Sequence, residues 1–95
     1  MLTITEMKAR NAAAGYYWFS RGNMRLFKTK IETRPTKDGY FITSDQPGNT
    51  DRRFSIQLFD LSTSDVYTIG AFQEFATLAD AKAALKTLLK AKRCA

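Results

Sequence analysis

The sequence contains no histidine, a single cysteine (Cys94), two prolines, five glycines, and no apolar run of the length a membrane span requires. Each absence excludes a class of chemistry. Histidine is the side chain that titrates nearest neutrality and the commonest general base, so Ser-His-Asp and Cys-His machinery is ruled out. One cysteine can neither close an intrachain disulfide nor assemble a thiolate zinc site. The glycines, at 15, 22, 39, 48 and 70, never fall in GxGxxG or GxxxxGK spacing, so no phosphate-cradling glycine loop is encoded. A bilayer core needs roughly 18 to 20 apolar residues in succession, and the N-terminal MLTITEMKAR lacks the basic start and apolar stretch of a secretion signal. A soluble, cytoplasmic chain with no cofactor, no metal and no membrane partner is expected. The acids Glu6, Glu32, Asp38, Asp45, Asp51, Asp60, Asp65, Glu74 and Asp80 stand singly, without DxD or ExxE pairing. With no constellation of acid, base and nucleophile, the chain is expected not to be an enzyme.

What is present is core material on a small scale. The 95 residues make one domain, 1–95, which buries about 60 to 65% of the surface of its unfolded chain. At 44% hydrophobic, 13% aromatic and 25% charged residues, the chain is too rich in apolar side chains to stay disordered.

The pattern reads helix, strands, helix. Thr3 and Glu6 have capping-box spacing, Leu2 and Met7 take the staple positions around them, and Gly15 is placed to end the helix in a left-handed turn. A helix over 4–14 therefore puts Ile4, Met7, Asn11 and Ala14 on one face. Asn11 is the polar exception there, and its amide is expected to bond the backbone after Gly15, because a buried amide needs partners. FKTKIET (27–33) alternates Phe27, Thr29 and Ile31 with Lys28, Lys30 and Glu32, the period of a half-buried strand. PTKDG (35–39) is a turn, GYFITSD (39–45) a second strand, QPGNTD (46–51) a loop, and RRFSIQLFD (52–60) a third strand with Phe54, Ile56 and Leu58 opposite Arg53, Ser55 and Gln57. LSTSD (61–65) closes a hairpin onto VYTIGAF (66–72). Thr77 with Asp80 marks an N-cap, and Leu78, Ala81, Leu85, Leu88 and Leu89 form the inward stripe of a helix reaching about residue 92. The fold class is α+β: an N-terminal helix, an antiparallel sheet of three to four strands and a C-terminal helix packed on one face. Because each strand shows one apolar and one polar side, both helices are expected on the apolar face.

Charge is segregated along the chain. Residues 54–81 hold four acids and no base, 82–95 hold Lys82, Lys86, Lys90, Lys92 and Arg93 with no acid, and 20–37 hold six bases and one acid. A net charge of +6 and a pI near 9.7 favour a polyanion or a carboxylate-rich protein surface as partner. The C-terminal run is explained without a partner: bases in the last turns of a helix complement its dipole, and Lys82, Lys86 and Lys90 form its solvated stripe. For the 20–37 cluster a solvated strand face is one reading and a functional patch the other, since strand position puts Lys28 and Lys30 on one polar face where Arg53 could join them. The cluster sits in YYWFSRGNMRLFKTK (16–30), where Tyr16, Tyr17, Trp18 and Phe19 lead directly into Arg21, Arg25, Lys28 and Lys30. Consecutive residues of an extended segment alternate faces, so half of these rings build the core and the other half stand beside Arg21 and Arg25. The candidate partner-binding residues are Tyr17, Arg21, Arg25, Lys28 and Lys30, with Arg53 joining from another strand.

The segments NAAAGYYWFS, MRLFKTKIE, GYFITSDQ, RRFSIQLFD and TIGAFQEFATLADA resemble a family of small, mostly uncharacterised proteins encoded by bacteriophages and other mobile elements. In that family an AG, aromatic, FS segment precedes an MRFF-like segment and a YFVTSE-like strand. The resemblance spans residues 11–81 and departs at Arg21-Gly22-Asn23, where a Pro-Asp-Thr-like turn is usual, and at Tyr17, where a histidine is usual. It implies a small protein that acts by binding host or viral machinery, restriction and CRISPR complexes included. Two functions are carried forward: a non-catalytic inhibitor of a host defence complex, either protein or ribonucleoprotein, and a nucleic-acid-binding module. The order helix, strands, helix is similar to a double-stranded-RNA-binding domain, although LADAKAALK replaces the dense lysine cluster of that domain's second helix. Either a monomer or a homodimer is compatible with the sequence.

Overall fold

The computed structural model describes residues 2–46, 48 and 50–94. Its elements are α1 (Ile4–Ala13), α2 (Arg21–Leu26), β1 (Lys30–Ile31), β2 (Tyr40–Asp45), β3 (Arg53–Phe59), β4 (Val66–Ile69) and α3 (Leu78–Cys94). The four strands form one antiparallel sheet in chain order. The capping signals hold at both ends of the molecule: Thr3 Oγ1 accepts the Glu6 N–H at 3.1 Å, and Thr77 Oγ1 accepts the Asp80 N–H at 3.1 Å. Pro47 and Asn49, in the loop expected at 46–51, lie outside the described residues. Among the described residues, no helix is long and apolar enough to cross a membrane.

The sheet is covered on both faces. The ladder from Tyr40 opposite Leu58 to Asp45 opposite Arg53 puts Tyr40 and Ile42 beside Ile56, and there they meet Ala81 and Leu85 of α3, with Leu78, Leu88 and Leu89 alongside. On the other face Phe41 and Phe59 pack with Met7 of α1 and Val66, bordered by Leu2, Ile4, Trp18 and Phe19. The expectation of both helices on one face is therefore corrected, while α3 packs as expected. Phe41 and Phe59 stand at the positions that alternation marks as polar, and α1 buries them. Polar side chains sharing that face are buried too, and they satisfy one another: Gln57 Nε2 donates to Thr43 Oγ1 at 3.0 Å, and Thr68 Oγ1 donates to Gln57 Oε1 at 2.9 Å. Gly39, at φ +97°, lets the turn into β2 press against β3: a β-carbon there would lie 2.3 Å from the Phe59 carbonyl oxygen. In the β3–β4 hairpin the Asp60 carboxylate accepts from the Ser62 N–H and hydroxyl, which hold its pKa below the ordinary value.

Asn11 is buried as expected, but its amide has a different partner. Nδ2 donates to the Ser64 carbonyl at 2.7 Å, tying α1 to the β3–β4 hairpin. The segment after Gly15 is bonded instead through the backbone, Tyr16 N–H to Asn11 C=O and Gly15 N–H to Ala12 C=O, both at 3.0 Å. With Gly15 at φ +90°, this is a Schellman closure.

The closure is repeated one helix later without a glycine. The stretch from 20 to 26, too short to show apolar periodicity, forms α2 behind the N-cap Ser20, whose Oγ accepts the Asn23 N–H at 3.2 Å. At its end Thr29 N–H bonds Met24 C=O at 2.8 Å and Lys28 N–H bonds Arg25 C=O at 3.3 Å, so Lys28 takes the left-handed position at φ +49°. The expected strand 27–33 is accordingly cut to Lys30–Ile31, because the helix closure occupies 27–29. Burial still alternates, with Thr29 and Ile31 half-buried and Lys28 and Lys30 exposed.

Two outcomes are expected from these contacts. Asn11→Leu leaves the Ser64 carbonyl without its donor and should destabilise by about 1–3 kcal/mol; a urea midpoint equal to that of the unmodified chain would show that the bond contributes nothing. Lys28→Gly relieves a left-handed lysine and should stabilise by about 0.5–1 kcal/mol. A lowered midpoint would mean that the Lys28 side chain makes folding contacts that outweigh its backbone strain.

Candidate functional site

Arg21 and Arg25 are four residues apart on α2 and so share one helical face. The same depression is lined by Lys8 from α1, Lys28 and Lys30 at the entry to β1, and Arg52 at the foot of β3, together with Phe19, Met24 and Thr29. It is a shallow, open cleft of about 840 Å³. Six of its nine lining residues are bases and none is an acid. A concave surface of one sign with apolar residues at its base focuses positive potential. Five of the bases are exposed; Arg52 is half-buried and fixed, its Nη1 donating to the Lys28 carbonyl at 2.9 Å and to Ser44 Oγ at 2.8 Å. The Thr29 hydroxyl donates to Asp45 Oδ1. Asp45 is only 2% exposed and lies behind the surface of the cleft.

A second, smaller hollow continues the first, sharing Lys8 and Phe19 and reaching Tyr16 and Tyr17. The aromatic run does divide between core and surface, but by pairs instead of by alternation. Trp18 and Phe19 turn in, their rings meeting edge-on at 4.7 Å, with Trp18 edge-on to Phe41 at 5.9 Å. Tyr16 is 39% and Tyr17 79% exposed. The cause is a turn in place of an extended segment, closed by Ser20 N–H to Tyr17 C=O at 3.0 Å.

Of the residues singled out in the sequence, Arg21, Arg25, Lys28 and Lys30 are brought together in the cleft and Tyr17 stands at its extension. Arg53 lies elsewhere. Its Nε donates to the Gln73 carbonyl at 3.0 Å and its Nη2 to the Glu74 carbonyl at 2.9 Å, tying β3 to the loop beyond β4. Its neighbour Arg52 takes the place in the cleft. Arg52 falls in the strand expected over 52–60 on the side of Phe54, which alternation marks as apolar, so the pattern points to Arg53 on the polar side instead. Lys8 was also missed, although it lies one and two helical turns before Asn11 and Gly15, on the stripe leading to the rings. Lys82, Lys86 and Lys90 are exposed on α3 and line neither hollow.

Residues 3–86 match the model of DUF7447, a family of unknown function, a span that runs from the N-cap of α1 into α3 and includes every residue of the cleft. Neither a curated protein nor a solved structure matches the chain. The chain therefore belongs to the DUF7447 family.

Proposed function

We propose that this protein is a non-catalytic inhibitor that docks on a host defence complex, of the kind targeted by anti-CRISPR or anti-restriction proteins, through its basic and aromatic cleft. In this reading it works in the cytoplasm of a cell invaded by the phage or mobile element that encodes it. The observation that carries the reading is the gathering of six bases and no acid into one concavity. Bases that served only solubility would be spread over the surface and interspersed with acids. A chain without histidine has little with which to process a bound complex, but it has enough positive surface to occupy one. Occupation alone blocks a nucleic-acid channel or an assembly surface.

The test compares the unmodified chain with two charge-reversed forms: Arg21, Arg25, Lys28 and Lys30 changed to Glu, and Lys82, Lys86 and Lys90 changed to Glu. Exposed substitutions of this kind usually alter stability by less than about 0.5 kcal/mol each, so both forms should unfold near the midpoint of the parent. The complex retained from host lysate is identified and its nuclease activity measured with each form added back. Inhibition is expected from the parent and the α3 variant and is expected to vanish in the cleft variant. Retention and inhibition by the cleft variant, with loss in the α3 variant, would assign the partner surface to α3; a retained complex that keeps full activity would overturn the inhibitor reading.

A further inference from the structure

We infer that the immediate ligand of the cleft is a single strand of nucleic acid, gripped by its phosphates between α2 and the β1 entry and stacked by a base on Tyr17. The inference rests on the reading of the cleft as the docking surface and names what it docks on.

Three observations carry it. The charges come from separate elements that line one depression, Arg21 and Arg25 from α2, Lys28 and Lys30 from the entry to β1 and Arg52 from the foot of β3. That arrangement suits a thin chain carrying a charge on every unit, which can meet several bases in succession. The groove also does not end in charge. It continues, through the shared Lys8 and Phe19, to a tyrosine that is 79% exposed. The backbone on either side of Tyr17 is fixed by the Schellman closure and by the Ser20 N–H bond, so the ring is held at the end of the hollow. An acidic peptide would use the charges but not the ring, whereas a nucleotide strand uses both: every base has a face to stack, whatever its identity. A duplex keeps its bases paired and stacked internally and offers Tyr17 nothing.

The third observation is Lys28. A left-handed lysine at a helix closure where glycine would be easier marks a position held against its backbone preference, and such positions concentrate at functional sites. Glycine there would satisfy the closure and remove a cleft charge.

The experiment is fluorescence anisotropy of the full chain with four labelled probes: oligo-deoxythymidylate and oligouridylate of about twelve nucleotides, a duplex of the same length, and a polyglutamate peptide of similar charge. Both single strands should bind more tightly than the duplex or the peptide, with an affinity that falls steeply as salt is raised. Tyr17→Ala should weaken single-strand binding by about 5- to 150-fold, the stacking free energy expressed as a ratio, and Tyr17→Phe should restore it, since a ring suffices. Arg21→Glu with Arg25→Glu should weaken binding and flatten the salt dependence. Lys28→Gly should weaken it while the urea midpoint stays at or above that of the parent. Polyglutamate binding as tightly as the single strands, with Tyr17→Ala unchanged, would overturn the inference and leave the docking cleft standing with an acidic protein as partner. Duplex preferred over single strand would overturn it as well, and so would no binding to any of the four probes, in which case the docking reading is decided by whether the cleft variant loses the complex from lysate.

Discussion

All six residues of β2 are buried, and a strand closed in on both sides has no water against which to rest a polar atom. Each hydroxyl, amide or carboxylate it carries must find its partner in the protein. Thr43 is answered by Gln57, and Gln57 by Thr68; Ser44 is reached by Arg52, and Asp45 at Oδ1 by Thr29, with Asp45 Oδ2 the one buried side-chain oxygen among the described residues that has no partner. The last two bonds matter most for the site. Thr29 and Arg52 are cleft residues, so the need to satisfy the central strand fixes the entry to β1 and the foot of β3 against it. The cleft is held in shape by a requirement of the core.

The aromatic turn does the corresponding work on the other side. Trp18 and Phe19 anchor to Phe41, and the Asn23 side chain donates to the Trp18 carbonyl at 2.8 Å, which fastens the start of α2 to the anchored turn. A helix of six residues has little stability of its own. Held at one end by this contact and at the other by the Lys28 closure, it keeps Arg21 and Arg25 facing the groove. The rings not needed for anchoring, Tyr16 and Tyr17, are left on the surface.

Local signals in the sequence proved sufficient wherever one short-range interaction decides the outcome. The caps at Thr3 and Thr77, the closure at Gly15 and the inward stripe of α3 each depend on residues within a turn or two of one another, and they stand where the pattern puts them. The strands were also legible, because β-branched and aromatic residues bounded by turn signals mark them, although burial does not alternate along β2, where all six residues are covered. What alternation does not encode is what lies above each face. Ser55 and Gln57 read as a wet side and are fully covered, and their partners come from other parts of the chain: the Gln73 N–H donates to Ser55 Oγ at 2.7 Å, and Gln57 bonds Thr43 and Thr68. The same limit explains Arg53 and Arg52: adjacent arginines at a strand boundary are distinguished only by tertiary partners, the Gln73 and Glu74 carbonyls for one and Ser44 for the other. Four of the bases were legible as a cluster because a single run of chain supplies them; Lys8 arrives from another helix.

The topology also orders events in time. Each strand pairs with its neighbour in the chain, so the ladders close through short connections and the sheet can assemble from local encounters, the circumstance in which folding is fast. The bond from Asn11 to Ser64 joins positions 53 apart, and α1 brings Lys8 with it. That long closure bears its entropic cost most easily once the hairpin it docks on exists. A chain that docked α1 only after the hairpin had formed would hold its complete sheet before it held its complete cleft.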